Sequence, residues 1–348
     1  MNKIILLIIS SILLSFYGCE FYDHSNPLDP DYKGEMPIVK NIKEVYSFKF
    51  QGYPLEKPTC LEILSSEIIY FGTNEGRIYK YSSSSLIQIQ TPSKIKNIND
   101  IKLFGEDYFY IVASKENTTD SSYVLLYKDS KWTTILSVYK YSNTWTIDNQ
   151  FVRFSFINPQ QFFLVYQTEY DEYDPNDNSR EIVYYNNGIT TNYDFSEKIF
   201  DIKAFSPNQV FALGKSNIWS FDGSNWVSIQ NISNYTFAKF QYIDSQSALF
   251  LGSTLFEYKN GIFKSIGISN PTSIHFLDIN FGAIVQNSTT FIVYNNGGLK
   301  EYSIPDLNLS QVKLSSQDIG YAVGLGYQSD INQQKCVIVK YGDFPLER

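Results

Sequence analysis

DIKAFSPNQVFALGKSNIWSFDGSNWVSI, residues 201–229, contains four short runs, DIKAF, QVFAL, NIWSF and NWVSI, separated by Ser206-Pro207-Asn208, Gly214-Lys215-Ser216 and Asp222-Gly223-Ser224. Residues of this kind at the breaks form turns, so the stretch reads as four antiparallel strands of one small sheet. Its last hairpin has an aromatic residue, a polar turn, and bulky residues five and eight positions on. That frame recurs as YSSSSLIQI (81–89), YKDSKWTTI (127–135), YNNGITTNY (185–193), FDGSNWVSI (221–229), YKNGIFKSI (258–266) and YNNGGLKEY (294–302). A truncated seventh copy, YGDFPLER, begins at Tyr341. The marker aromatics are 46, 58, 36, 37, 36 and 47 residues apart, so a bare unit is near 36 residues and the longer ones carry insertions. Four strands per unit at this period are the signature of a β-propeller. The expected fold is all-β, a seven-bladed propeller of four-stranded antiparallel blades.

The seventh unit has QVKLS (311–315), IGYAVGL (319–325) and CVIVKYG (336–342) but no fourth strand. The isolated run VYSFKF (45–50) stands before the first full unit. Supplying the missing strand from the N-terminus would close the ring and remove two open sheet edges. Residues 44–348 are therefore expected to form one propeller domain. Aromatics make up 17% of the chain, enough large flat side chains to fill the wedges between blades. Net charge is −8 with no Lys/Arg cluster, which excludes the electrostatic footprint of a nucleic-acid binder. Cys60 falls on an innermost strand and Cys336 on a third strand, too far apart for a disulfide, so both are expected to be buried free thiols.

Residues 1–19, MNKIILLIISSILLSFYGC, place one lysine before an apolar run that ends at Gly18-Cys19. The run is an export signal, too short for a spanning helix. It resembles the bacterial lipoprotein signal, which implies that Cys19 is lipidated and becomes the mature N-terminus. Residues 20–43 carry three prolines and no periodicity and read as a flexible tether. Within it NPLDPDYKG (26–34) is similar to the segment that often follows the lipid-bearing cysteine.

Catalytic chemistry has little to stand on. The single histidine of the domain, His275, lies between Ile274 and Phe276 on a strand and reads as a satisfied core residue. No Gly-rich phosphate loop, HExxH or CxxC occurs, and no cofactor or metal centre is expected. Arg77, Arg153, Arg180 and Arg348 fall in or near different blades and loops, which argues against the arginine triad of a sialidase. Asp222-Gly223 reads as a tight hairpin turn. The acidic run 169–178 is a solvated loop, or alternatively a calcium loop, although its order does not match an EF-hand.

The pattern of 201–229 resembles the repeats of exported bacterial β-propeller lipoproteins of the kelch-like or sensor-propeller kind. This implies a fold and a place, the bacterial cell envelope, anchored most naturally at the outer membrane and facing periplasm or surface, but no catalytic residue. The favoured reading is a lipid-anchored, non-catalytic module binding a protein or glycan partner. The alternatives are a carbohydrate-active hydrolase or lyase in the central funnel, and an envelope-assembly scaffold. An inward-facing cluster of Asp, Glu, Tyr and Arg at one mouth of the channel would favour the enzyme.

Blade topology places the second-to-third loops and the connections between blades on one face. The long examples are 115–122, 137–150, 169–180 and 327–334. They present Tyr139, Tyr141, Trp145, Tyr170, Tyr173, Asp174 and Tyr327, the expected partner-binding residues, because aromatics on loops give large contact area at small entropic cost.

Overall fold

The computed structural model describes residues 36, 38–49, 56–82, 84–93, 95–115, 121–139, 149–168, 180–304, 306–328 and 333–345. Cys19 and the signal lie outside them. The first strand is β1 (Ile38–Phe48). The first blade follows as β2 (Pro58–Ser65), β3 (Ile68–Thr73), β4 (Ile78–Ser82) and β5 (Ser85–Ile89). The second is β6 (Ile95–Gly105), β7 (Tyr108–Lys115), β8 (Ser121–Lys128) and β9 (Lys131–Tyr139). The third is β10 (Asn149–Asn158), β11 (Gln161–Thr168), β12 (Arg180–Asn186) and β13 (Ile189–Asp194). The fourth is β14 (Ile199–Ser206), β15 (Gln209–Gly214), β16 (Asn217–Phe221) and β17 (Trp226–Asn231). The fifth is β18 (Lys239–Tyr242), β19 (Ser247–Leu251), β20 (Thr254–Lys259) and β21 (Ile262–Ser269). The sixth is β22 (Pro271–Asp278), β23 (Phe281–Gln286), β24 (Thr290–Asn295) and β25 (Gly298–Ser303). The seventh comprises β26 (Leu307–Leu314), β27 (Gly320–Gln328), β28 (Gln333–Pro345) and, as its outer strand, β1, in the order β1-β28-β27-β26.

The N-terminal strand thus completes the last blade, as the missing fourth strand required. It begins at Ile38, inside the segment expected to be tether. The polar residues Lys40, Asn41, Lys43 and Glu44 suit an outer strand with one wet face, and so hide its period. The chain divides into a large compact unit, residues 42–342, and a small one, residues 1–41 with 343–348. In the small unit Lys40 Nζ lies 2.9 Å from Asp343.

In the large unit each apolar cluster fills one wedge between adjacent blades. Cys60, Tyr70 and Ile78 meet Ile98, Phe109 and Ile111 between the first and second blades. Leu61, Phe71 and Tyr79 meet Tyr321, Cys336 and Ile338 between the first and seventh, which closes the ring. Second strands such as QVFALG are almost wholly buried because neighbours cover both faces, whereas the outer strand ITTNYD is exposed along most of its length. Cys60 and Cys336 belong to different wedges and are free and buried, as expected.

The repeat marker has a structural cause. In all six complete hairpins the aromatic faces the residue five positions on: Tyr81 with Leu86, Tyr127 with Trp132, Tyr185 with Thr190, Phe221 with Trp226, Tyr258 with Phe263 and Tyr294 with Leu299. Directly opposed pairs of this kind set register. At Asn187-Gly188, Asn260-Gly261 and Asn296-Gly297 both turn residues have positive φ, the geometry of the type I′ hairpin. Asp222 instead accepts from the N–H groups of Ser224 and Asn225, each at 2.8 Å, and makes the tight turn expected there.

Candidate functional site in the axial channel

The first strands of successive blades surround the axis, and their pairing with the second strands puts them in one register. Glu62, Lys102, Ser155, Lys203, Gln241, His275 and Lys313 occupy one corresponding position. Two residues earlier in each strand stand Cys60, Asp100, Arg153, Asp201, Lys239, Ser273 and Gln311. The axis is therefore ringed by two tiers of corresponding positions, one per blade, although Cys60 turns into the wedge between the first and second blades. A register shift directly precedes the second set in every blade but the fifth, and bulges of this kind re-aim side chains. Side chains meet across blades: Lys102 of the second blade and Lys313 of the seventh both reach Glu62 of the first.

A first strand exposes an unpaired backbone edge toward the axis, and buried N–H groups there need partners. The tiers supply them from blade to blade. Ser155 Oγ accepts from Ala204 N (2.8 Å), Gln241 Oε1 from Phe276 N (2.9 Å), Ser273 Oγ from Val312 N (3.1 Å) and His275 Nδ1 from Leu314 N (3.2 Å). Asp201 Oδ2 takes Phe240 N at 3.2 Å and its Oδ1 takes Ile202 N at 2.9 Å. Asp100 does the same with Phe154 N and Ile101 N. Lysine and arginine have no acceptor. Where they stand the rung is absent, and their charge is left for other work.

Burial pushes the carboxyls of Asp100 and Asp201 up, against the pull of Arg153. Arg153 itself is fixed by Nη1 bonds to the carbonyls of Asn99 and Val152, both 2.9 Å. Burial alone would also raise Glu62, but Lys313 and Lys102 outweigh it and hold the carboxyl low. Glu62 bonds Lys313 and lies 3.5 Å from Lys102. Burial pulls Lys239 down to about 8, and Arg153 adds to the effect. His275 is pulled down to about 3 by burial and then by Lys313, so at neutral pH it is uncharged. The satisfied histidine expected from the sequence is what the structure contains.

The cluster of acids and Arg153 does face inward, yet both oxygens of Asp100 and Asp201 serve the scaffold and Glu62 serves two lysines. Among the described residues no three His, Cys, Asp or Glu converge to hold a metal. Arg77 pairs with buried Glu56 at 3.1 Å, while Arg153 lines the channel, so these two arginines do different work.

Of the expected partner-binding residues, Tyr141, Trp145, Tyr170, Tyr173 and Asp174 lie outside the described residues. Tyr139 and Tyr327 lie near or at the ends of β9 and β27, with their side chains likewise outside. The flanking strand ends at 139, 149, 168, 180, 328 and 333 do fall on one face, because successive strands are antiparallel. Toward that face a cleft of ≈ 360 Å³ separates the second and third blades, lined by Leu136, Val138 and Phe151 with Glu181, Thr190 and Asn192.

Two buried glutamates escaped the sequence reading. Glu56 accepts from Thr73 Oγ1 at 2.8 Å, and Glu197 from Ser216 N, from Asn217 Nδ2 at 2.9 Å and from Trp219 Nε1 at 2.6 Å. Both tie down a second-to-third turn. Both also sit in a Glu-Lys pair just before a first strand, a signal that was available.

No family model matches the chain, and no curated protein matches it in sequence. Solved structures do match it in shape. The WD40 propeller domain of Doa1 is 12% identical with a TM-score of 0.60, covering 86% of this chain and 97% of its own. YCF48 bound to D1 peptide is 9% identical at 0.58, covering 88% and 99%. The Cps50 (Swd1) propeller of Myceliophteria thermophila is 10% identical at 0.58, covering 86% and 99%. At such identities the likeness establishes the fold alone: this chain is a seven-bladed β-propeller.

Proposed function

We propose that the chain is a lipid-anchored, extracytoplasmic propeller of the bacterial envelope that binds a protein partner without catalysis, on the face of the long connections. The observation that carries this reading is the cleft between the second and third blades, where apolar Leu136 and Val138 stand beside polar Ser137, Glu181, Thr190 and Asn192. A concave site that mixes apolar and polar lining suits the alternating side chains and polar backbone of an extended peptide. YCF48, a propeller of similar fold, was solved bound to D1 peptide. The scaffold-bound carboxylates of the channel support the non-catalytic part.

A photo-cross-linking residue at Asn192 is expected to give a discrete protein adduct in cells, while the same residue at exposed Ile262 on the fifth blade gives none. Equal adducts at both positions, or none at Asn192, would overturn the assignment. For the anchor, a fatty-acid analogue is expected to label the protein and to leave Cys19→Ser unlabelled. Equal labelling of the two would show that Cys19 carries no lipid.

A further inference from the structure

The two tiers of the channel differ in charge. The tier of Asp100, Arg153, Asp201 and Lys239 has two carboxylates and two cations, and is formally neutral. The other tier has one carboxylate, Glu62, against Lys102, Lys203 and Lys313, and carries a formal excess of two positive charges in a chain whose net charge is −8. Its remaining members, Ser155, Gln241 and neutral His275, cannot offset that excess. Glu62 engages Lys313 and Lys102, whereas Lys203 has no carboxylate within ion-pair distance among the described residues and lies 5.3 Å over the Phe205 ring. This tier stands nearer the hairpin end of the first strands, opposite the face of the long connections, and is open to solvent there: the Lys102 side chain is 44% exposed. Three lysines from three blades at corresponding positions around one axis, with one carboxylate among them, concentrate positive potential at this end of the ring.

We propose that this tier is a binding site for a compact divalent oxyanion of the sulfate or phosphate type, held by Lys203 with Lys102 and Lys313. A charge of minus two balances the excess of the tier. A tetrahedral oxyanion offers acceptors to several ammonium groups at once, and charge-assisted bonds of this kind are the strong ones. A bulky or monovalent anion meets only part of this requirement. The site is independent of the partner reading, because it lies on the first strands around the axis and shares no residue with the cleft between the second and third blades. Burial depresses Lys203, and Lys102 and Lys313 depress it further, while Glu62 and Asp201 act in the opposite sense. A bound dianion would act on Lys203 in the same sense as Glu62 and Asp201, favouring its charged form.

The test uses sulfate, whose charge is constant over the working range, added to the full-length protein at fixed ionic strength and followed by titration calorimetry. Saturable binding is expected below about 10 mM, with a loss of about tenfold or more in Lys203→Met and a change within about twofold in Lys239→Met, which alters the neutral tier. Lys203→Arg is expected to retain binding. If Lys203→Met fails to fold, Lys102→Met decides: removal of this more exposed lysine is expected to weaken sulfate binding severalfold. Absence of saturable binding, or wild-type affinity in Lys203→Met or, where that variant does not fold, in Lys102→Met, would overturn the site. Inorganic phosphate as a second probe separates a general oxyanion site from one selective for sulfate.

Discussion

A chain beginning at Tyr53 is expected to unfold in urea far below one beginning at Pro37, with a loss on the order of 5 kcal/mol. The shorter chain lacks β1, which supplies more than an outer ladder. Val45, Tyr46 and Phe48 pack on the wedge between the first and seventh blades, with Tyr46 5.6 Å from Tyr81 and Phe48 5.0 Å from Tyr79 between ring centroids. Ile42 packs on the wedge between the sixth and seventh. Glu44 pairs with Lys335 at 2.9 Å. A ladder bond is worth about 1 kcal/mol net, and each half-buried aromatic about as much again. Since a domain is stable by only about 5–15 kcal/mol, this loss removes much of the margin. It also bares the edge of β28, so the shorter chain is expected to self-associate. Equal urea midpoints for the two chains would show that the ring does not depend on this strand.

The ring was legible because one hairpin repeats with its cross-strand pair intact, and because the unpaired strand and the incomplete blade lie at opposite ends of the chain. The channel was not. DIKLF and DIKAF place Asp and Lys two apart at the same position of two first strands, and Lys239-x-Gln241, Ser273-x-His275 and Gln311-x-Lys313 follow suit. A polar alternation of this kind looks like a solvent face when each strand is read by itself. Only the closed ring turns it inward, where the same residues become acceptors for the neighbouring blade or uncompensated cations. The Glu-Lys pairs before β2 and β14 were hidden for a similar reason, since a glutamate beside a lysine reads as surface until the turn that it holds is in place.

Replacing His275 by Gln is expected to remove a large part of the acid sensitivity of folding. In the folded chain His275 resists protonation down to about 3, because it is buried and faces Lys313, Lys203 and Lys102, with Glu62 the one favourable charge. In the unfolded chain it titrates near 6.5. A base whose folded pKa is lowered binds fewer protons in the folded state throughout that interval, so stability falls as pH drops below the unfolded value. The slope approaches 1.36 kcal/mol per pH unit, which gives a loss of about 2–3 kcal/mol between pH 7 and pH 4.5. Glu62, held low, adds its own loss only as the pH falls below the ordinary carboxylate range. Asp100 and Asp201, held high, work the other way and gain protons earlier in the folded state. Asp100 and Asp201 act in wild type and variant alike, and Glu62, which His275 helps to hold low, adds its loss only toward the acid end, so the divergence that opens at pH 6.5 reports His275. Glutamine is the right replacement because the fold already uses it: Gln241, at the same position one blade earlier, accepts Phe276 N at 2.9 Å as His275 accepts Leu314 N at 3.2 Å. The variant therefore keeps the rung and loses the titration. Urea midpoints measured from pH 7.5 to 4.5 are expected to coincide at the upper end and to diverge below pH 6.5, with the variant the more stable. Parallel curves across the whole range would mean that His275 is not the group that sets the acid limb.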